Sequence, residues 1–187
     1  MSIQIVNIDP DNHTQHEQMA RTLTAAFAEN YPTSWATHEE AIAEVHDFLN
    51  TAHICCVAVD ETSTVLGWIG GISMYEGNVW ELHPLAVHPD HQGKGVGRLL
   101  VEALEREVAA RGGLTIYLGS DDESGLTSLA GADLYDSLWD KIAHIRNLKN
   151  HPFSFYERAG FQIVGVVPDA NGVGKPDIMM AKRVHPK

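Results

Sequence analysis

Apolar and polar positions alternate from Ile3 to Ile8, a period of two that predicts a first strand. Thr14-Gln15-His16-Glu17 then resembles a capping box. It opens a predicted helix with Met19, Leu23 and Phe27 on one face, running to about Glu29 or Asn30. Thr37-His38-Glu39-Glu40 repeats the capping pattern ahead of Ile42, Val45 and Leu49, so a second helix is expected. His53 to Val59, Thr64 to Tyr75 and Val79 to Val87 read as strands. A polar turn separates the first two and Glu76-Gly77-Asn78 the last two, which predicts an antiparallel meander. Leu100, Leu104 and Val108 mark one face of a helix that Gly112 and Gly113 stop after Arg111. Leu114 to Leu118 predicts another strand, and Leu134, Leu138, Ile142 and Ile145 an additional helix. Pro152 suits the first turn of a short helix ending near Gly160, and Gln162 to Val167 and Asp177 to Lys182 close the chain as strands.

The resulting order, β-α-α-β-β-β-α-β-α-α-β-β, is a mixed α/β layout. At 187 residues it fits a single domain spanning 1–187, with no low-complexity stretch or internal repeat to mark a linker. The longest apolar runs, such as Ile54 to Val59, are strand-sized and far below the roughly 18 residues of a membrane span. Met1-Ser2-Ile3-Gln4-Ile5 lacks the basic start and apolar run of a secretion signal, so the expected location is cytoplasmic. The two cysteines, Cys55 and Cys56, are adjacent in an apolar run. Their side chains point to opposite faces of a strand, so they are read as packing residues without chemistry.

Gln92-Gly93-Lys94-Gly95-Val96-Gly97 leaves a predicted strand and enters a predicted helix. Backbone amides and the positive helix end can converge there on an anion, and glycine lets the backbone approach it closely. The segment lacks the GK[ST] ending of a nucleotide-triphosphate loop, and it follows the fourth strand rather than the first strand of a βαβ unit. It does match the Q/R-x-x-G-x-G/A signature by which GNAT acetyltransferases bind the pyrophosphate of coenzyme A.

A closer likeness is carried by Trp80-Glu81-Leu82-His83-Pro84-Leu85, by Arg111 to Gly119, by His151-Pro152-Phe153-Ser154-Phe155-Tyr156, and by Val164 to Gly172 with Lys175-Pro176-Asp177-Ile178. These segments resemble aminoglycoside 6′-N-acetyltransferases over roughly residues 80 to 183; the first 75 residues resemble them weakly. The resemblance implies the GNAT fold: a central, mostly antiparallel sheet with a splayed parallel strand pair, flanked by helices. It also implies acetyl-CoA as cosubstrate, an aminoglycoside as acceptor, a homodimer, and a role in antibiotic resistance.

Aminolysis of a thioester needs a deprotonated amine, a polarised carbonyl and a protonated leaving thiolate. Glu81 interrupts an apolar strand, where a carboxylate is costly unless it faces a wet cleft, solvent or a cationic partner. By resemblance it lines the amine site, either as base or as the group that orients the ammonium. His83 is a second, weaker base candidate. Pro84 cannot donate to a ladder and marks a bulge or an edge. In the GNAT fold that break frees the Leu85 amide as oxyanion donor and the Val87 backbone for pantetheine. The same resemblance puts the Tyr156 hydroxyl beside the coenzyme sulfur, as proton donor to the thiolate.

Thirteen Lys and Arg against 25 Asp and Glu leave a net charge of −12, which disfavours nucleic acid and anionic lipid and favours cationic ligands. Asp121, Asp122, Glu123, Asp133, Asp136 and Asp140 are the acids expected near the acceptor. Asp121, Asp122 and Asp136 join Glu81 and His83 as candidate substrate contacts. The histidines offer no zinc-like ligand spacing, so no metal is expected. The cofactor loop does not encode the acceptor. A GNAT enzyme for a polyamine or a protein N-terminus, and a non-catalytic coenzyme-A-binding module, remain the alternatives.

Overall fold

The computed structural model describes residues 2–184; Met1, where the reading of the terminus begins, and residues 185–187 lie outside them. The described residues form two compact units, residues 2–116 with Val184, and Tyr117–Arg183.

In the first unit β1 (Gln4–Asn7), β2 (Ile54–Val59), β3 (Val65–Met74) and β4 (Val79–Val87) pair antiparallel in sequence order, as the meander predicts. Between β1 and β2 come α1 (His13–Phe27) and α2 (His38–Asp47); α3 (Val96–Ala110) follows β4. All six residues of β2 are buried, as are the first seven of β3, because helices cover both faces. Met19, Leu23, Val45 and Phe48 of the α1–α2 side pack with Cys55, Val57 and Trp68. On the opposite face, Leu100 and Leu104 of α3 come up against Gly67 and Gly71. Strands buried on two sides read as continuous apolar runs rather than alternations.

The helix ends correct two expectations. Asn12, not Thr14, caps α1, its side chain accepting from the Gln15 amide at 3.0 Å, so Thr14 lies inside the first turn. Around α2 the capping box forms in full, with the Thr37 side chain accepting from the Glu40 amide and the Glu40 side chain from the Thr37 amide. Val45 is buried and Ile42 packs against the core as expected, while Ala41 and Phe48 complete the face where Leu49 was expected.

Within the second unit, β5 (Thr115–Asp121, begun in the first) runs three residues beyond the expected Leu118. Gly119 lies inside the strand, and its missing side chain makes room for Asp177: a Cβ there would lie 2.5 Å from Asp177 Oδ2. The long helix expected over Leu134 to Ile145 shrinks to α4 (Leu138–Ala143). Ser137 holds a left-handed conformation (φ 51°) that a right-handed helix cannot continue through, and Leu134 is buried in irregular chain instead. The short helix after Pro152, α5 (Phe153–Arg158), and the antiparallel pair β6 (Gln162–Val167) and β7 (Asp177–Arg183) stand close to where the sequence puts them. Within the second unit β7 lies between β5 and β6.

Candidate active site

The break expected at Pro84 is a β-bulge. Leu82 pairs with Gly71 and Leu85 with Ile69, so His83 and Pro84 together oppose the single residue Gly70. Gly70 is required there: a Cβ would collide with the His83 carbonyl and the Phe48 ring. The extra residue changes which face β4 presents. Before it, Glu81 stands opposite Ile72, which packs on the α1–α2 cluster, so Glu81 projects toward that side. Beyond it, Ala86 takes that face. Val87 stands opposite Gly67, whose open face meets Leu100 of α3. Glu81 is half-buried and takes part in no hydrogen bond or ion pair among the described residues.

The ladder also fixes where the Leu85 and Val87 backbones point. The His88 amide donates to the Leu66 carbonyl at 3.0 Å, which makes Leu66 and His88 a hydrogen-bonded pair. Antiparallel pairs alternate, so Trp68 and Ala86 form the next bonded pair. Leu85 and Val87 fall between, with their N–H and C=O groups turned away from β3. The Val87 carbonyl accepts from the Gln92 side chain at 3.1 Å, tying the following loop back to the strand.

That loop is exposed from Gln92 to Gly95, and Gly93 (φ 71°) and Gly95 (φ 87°) both hold left-handed conformations open to glycine. No side chain caps α3, and the amides of Val96, Gly97 and Arg98 have no protein acceptor among the described residues. Several free donors on the positive end of a 15-residue helix suit a phosphate. The residues present therefore fit the pyrophosphate of a coenzyme.

His83, on the bulge, is held from the helical side. Its Nε2 lies 3.5 Å from Glu44 Oε1 of α2, and its ring lies 5.6 Å from that of Trp35, whose Nε1 donates to Glu44 Oε2 at 3.1 Å. Burial works to raise the Glu44 carboxyl. The hydrogen bond and charge of His83, with the Trp35 hydrogen bond, outweigh it and hold the group below the usual carboxylate range.

In the second unit Tyr156 lies on α5, its ring edge-on to Phe155 (5.2 Å) and Phe161 (5.6 Å). The residue is half-buried, its hydroxyl takes part in no hydrogen bond among the described residues, and burial pushes the phenol above its ordinary range. His151 anchors the start of this helix. Its Nδ1 accepts from the Phe153 amide (3.1 Å) and its Nε2 donates to the Asp121 carbonyl at the end of β5 (3.0 Å), which defines a neutral tautomer.

Asp122 does not meet the expectation of a substrate-facing acid. It is fully buried, with Oδ1 accepting from the Leu126 amide (2.6 Å) and Oδ2 from the Thr127 amide (2.9 Å) and hydroxyl (2.7 Å). Its carboxylate is committed to folding the loop. Asp121 is half-buried, its carboxylate accepting from the Asn171 side chain. Asp136 is exposed, 3.6 Å from the Lys141 ammonium.

The pattern of the Acetyltransferase (GNAT) family matches residues 17–130. The chain belongs to the GNAT acetyltransferase family. Among solved GNAT structures, one of an aminoglycoside 6′-N-acetyltransferase complexed with coenzyme A is 42% identical, with a TM-score of 0.89 and 98% of each chain covered. The aminoglycoside 6′-N-acetyltransferase from Enterococcus faecium is also 42% identical, at a TM-score of 0.88 over 98% of each chain. An aminoglycoside 6′-acetyltransferase type Ii is 36% identical at 0.74, covering 98% of this chain and 99% of that one. No curated protein matches the chain.

Within this GNAT chain the first unit gathers Glu81, His83, Leu85, Val87 and the loop Gln92 to Gly97 onto one strand and the segment after it. The second unit links Asp121 to the start of the Tyr156 helix through His151, while Asp136 stands on the exposed chain before α4. Sequence reasoning missed Glu44 and Trp35. A faint signal exists for Glu44, an acid three residues after Ala41 and next to Val45 on the buried face of an amphipathic helix. Trp35 precedes its helix and carries no periodic signal.

Proposed function

We propose that the protein transfers the acetyl group of acetyl-CoA to the 6′-amino group of an aminoglycoside, by direct attack within a ternary complex. The reading is carried by the bulged strand β4, which puts an unpaired carboxylate before the bulge and outward-turned amides after it, leading into an uncapped helix. The two 42% identical relatives, one complexed with coenzyme A, support both substrates.

The residues divide the work as follows. Val96, Gly97 and Arg98 amides, with Gln92, Gly93, Lys94 and Gly95, hold the pyrophosphate, and the Val87 backbone holds the pantetheine arm. The Leu85 N–H donates to the thioester carbonyl oxygen as negative charge develops on it. Glu81 accepts the proton of the ammonium, directly or through water, or orients it for deprotonation; His83 stands beside it on the strand. The amine nitrogen bonds to the acetyl carbon and loses its second proton to water as the amide forms, the carbon–sulfur bond breaks, and Tyr156 gives its proton to the departing thiolate and regains one from solvent. Asp121 and Asp136 supply charge for the remaining ammonium groups; Asp122 shapes the loop that carries them.

We read the chain as a single domain, 1–187, a reading supported by the GNAT match that runs across residue 116. We place it in the cytoplasm, as the sequence reading expects, and as a homodimer conferring resistance, as the resemblance implies. No helix among the described residues is long and apolar enough to cross a membrane, and the charge of −12 disfavours nucleic acid as partner. The test is release of free coenzyme A from acetyl-CoA. Release on adding an aminoglycoside is expected. Release only with a polyamine or peptide would move the acceptor, and release with none would leave a coenzyme-binding module.

A further inference from the structure

The first unit carries a cavity of about 210 Å³ where the C-terminal end of α3 meets the turn after α2 and the start of β2. The coenzyme loop enters the other end of this 15-residue helix, roughly 20 Å away, so the cavity is separate from the acetyl-transfer site. Buried Phe48 and Ile54 give it an apolar lining, whereas Glu107 and His53 are half-buried and Arg111 is exposed. Glu107 in the last turn and Arg111 at the C-cap have the spacing at which opposite charges pair along a helix. Glu17 with Arg21 and Arg98 with Glu102 do pair so, at 3.9 and 2.8 Å. Glu107 and Arg111 do not. The guanidinium is drawn over the Trp80 ring, 5.3 Å from its centroid, and its Nη1 donates to the Thr51 and Ala52 carbonyls at 3.3 and 3.5 Å. Its Nε and Nη2 donors have no acceptor, and the Glu107 carboxylate has no donor, among the described residues. His53 packs its ring edge-on to Phe48 at 5.4 Å, and its enclosed Nδ1 has no hydrogen-bond partner among those residues.

We propose that this cavity binds a small apolar α-amino acid, with its carboxylate on Arg111, its ammonium on Glu107 and its side chain against Phe48 and Ile54. The inference goes beyond acetyl transfer and does not depend on it. A carboxylate fits the two parallel donors on the Nε–Nη2 edge of a guanidinium. The helices α2 and α3 both end at the cavity, and the negative ends of their dipoles favour an ammonium beside Glu107. A ligand of one sign would leave one of these lining charges unanswered; a zwitterion answers both. His53 Nδ1 offers a further polar contact, and enclosed polar atoms normally have one. The volume exceeds the roughly 150 Å³ that suffices for benzene, so a branched aliphatic or aromatic side chain fits.

Calorimetric titration with L-leucine tests this, beside 4-methylpentanoate and 3-methylbutylamine, which keep the branched chain but one charge each. Leucine is expected to saturate one site per chain, about tenfold or more tighter than either analogue. Glu107→Gln should weaken leucine about tenfold and leave 4-methylpentanoate unchanged. Because Glu107 makes no hydrogen bond or ion pair among the described residues, its replacement should leave the fold intact, which circular dichroism checks. Backbone NMR shifts should move at Thr51, His53 and Cys55, and coenzyme A should not compete. No saturation by leucine, equal affinity for the analogues, unchanged leucine affinity in Glu107→Gln, or displacement of leucine by coenzyme A overturns the proposal.

Discussion

Tyr156 keeps its proton through the neutral range, because burial among Phe155 and Phe161 disfavours the phenolate. A group that stays protonated is available to give that proton up when a thiolate departs beside it. Tyr156→Phe should therefore slow thioester cleavage by roughly tenfold to a thousandfold while leaving coenzyme affinity nearly intact. Rapid-quench measurement of a single turnover checks this, and an unchanged rate removes Tyr156 from the mechanism. Glu81 stands out in the sequence for a simple reason, that a carboxylate among apolar strand residues needs an explanation, and its half-buried place on β4 keeps it a candidate. Asp122 misled for the converse reason. An acid in a polar loop reads as solvated, yet this one is sealed under three hydrogen bonds to Leu126 and Thr127. Glu44 was hidden because its partner, His83, lies 39 residues away on another element, and no spacing along the chain encodes that meeting.

At the scale of elements, periodicity served well where a helix or strand packs by its own face. Leu100, Leu104 and Val108 of α3 are all fully buried, as their spacing predicts. It failed between β5 and α5, where the chain is held by side-chain hydrogen bonds such as those of Asp122 and is broken by a left-handed Ser137, with no repeating face. The bulge was half legible. Pro84 announced it, but its counterpart Gly70 and the resulting change of facing depend on the register with β3. His151 shows what such local fastening entails. Its burial depresses the imidazole below the ordinary value of 6.5, against the Asp121 carbonyl and the charges of Asp122 and Asp121. The unfolded chain then binds the proton more readily than the folded one. The penalty is absent above pH 6.5, grows as pH falls below it, and levels off beneath the folded value. Thermal melts of the wild type should show this acid-side loss, and His151→Asn should flatten it. An NMR titration placing the imidazole at or above 6.5 would contradict the account.

Over the whole molecule, the order of strands and helices along the chain matches the reading from pattern alone, whereas the sheet order does not follow from it. β7 lies between β5 and β6, a placement set by pairing among strands distant in sequence, which alternation within each strand cannot express. The charge of −12 acts at this scale too, drawing a polycation from solution without selecting which of its amines reacts. In the proposed function selection belongs to β4, where the nucleophile must be an amine able to lose a proton. The most direct measurement compares an aminoglycoside bearing a 6′-amine with its counterpart bearing a 6′-hydroxyl, in binding and in coenzyme A release, with NMR locating the acetyl group. Both compounds should bind, since the remaining ammonium groups are shared, but only the amine should gain one acetyl group, at the 6′ nitrogen. Comparable turnover of both compounds, or acetylation at another nitrogen, would contradict the assignment.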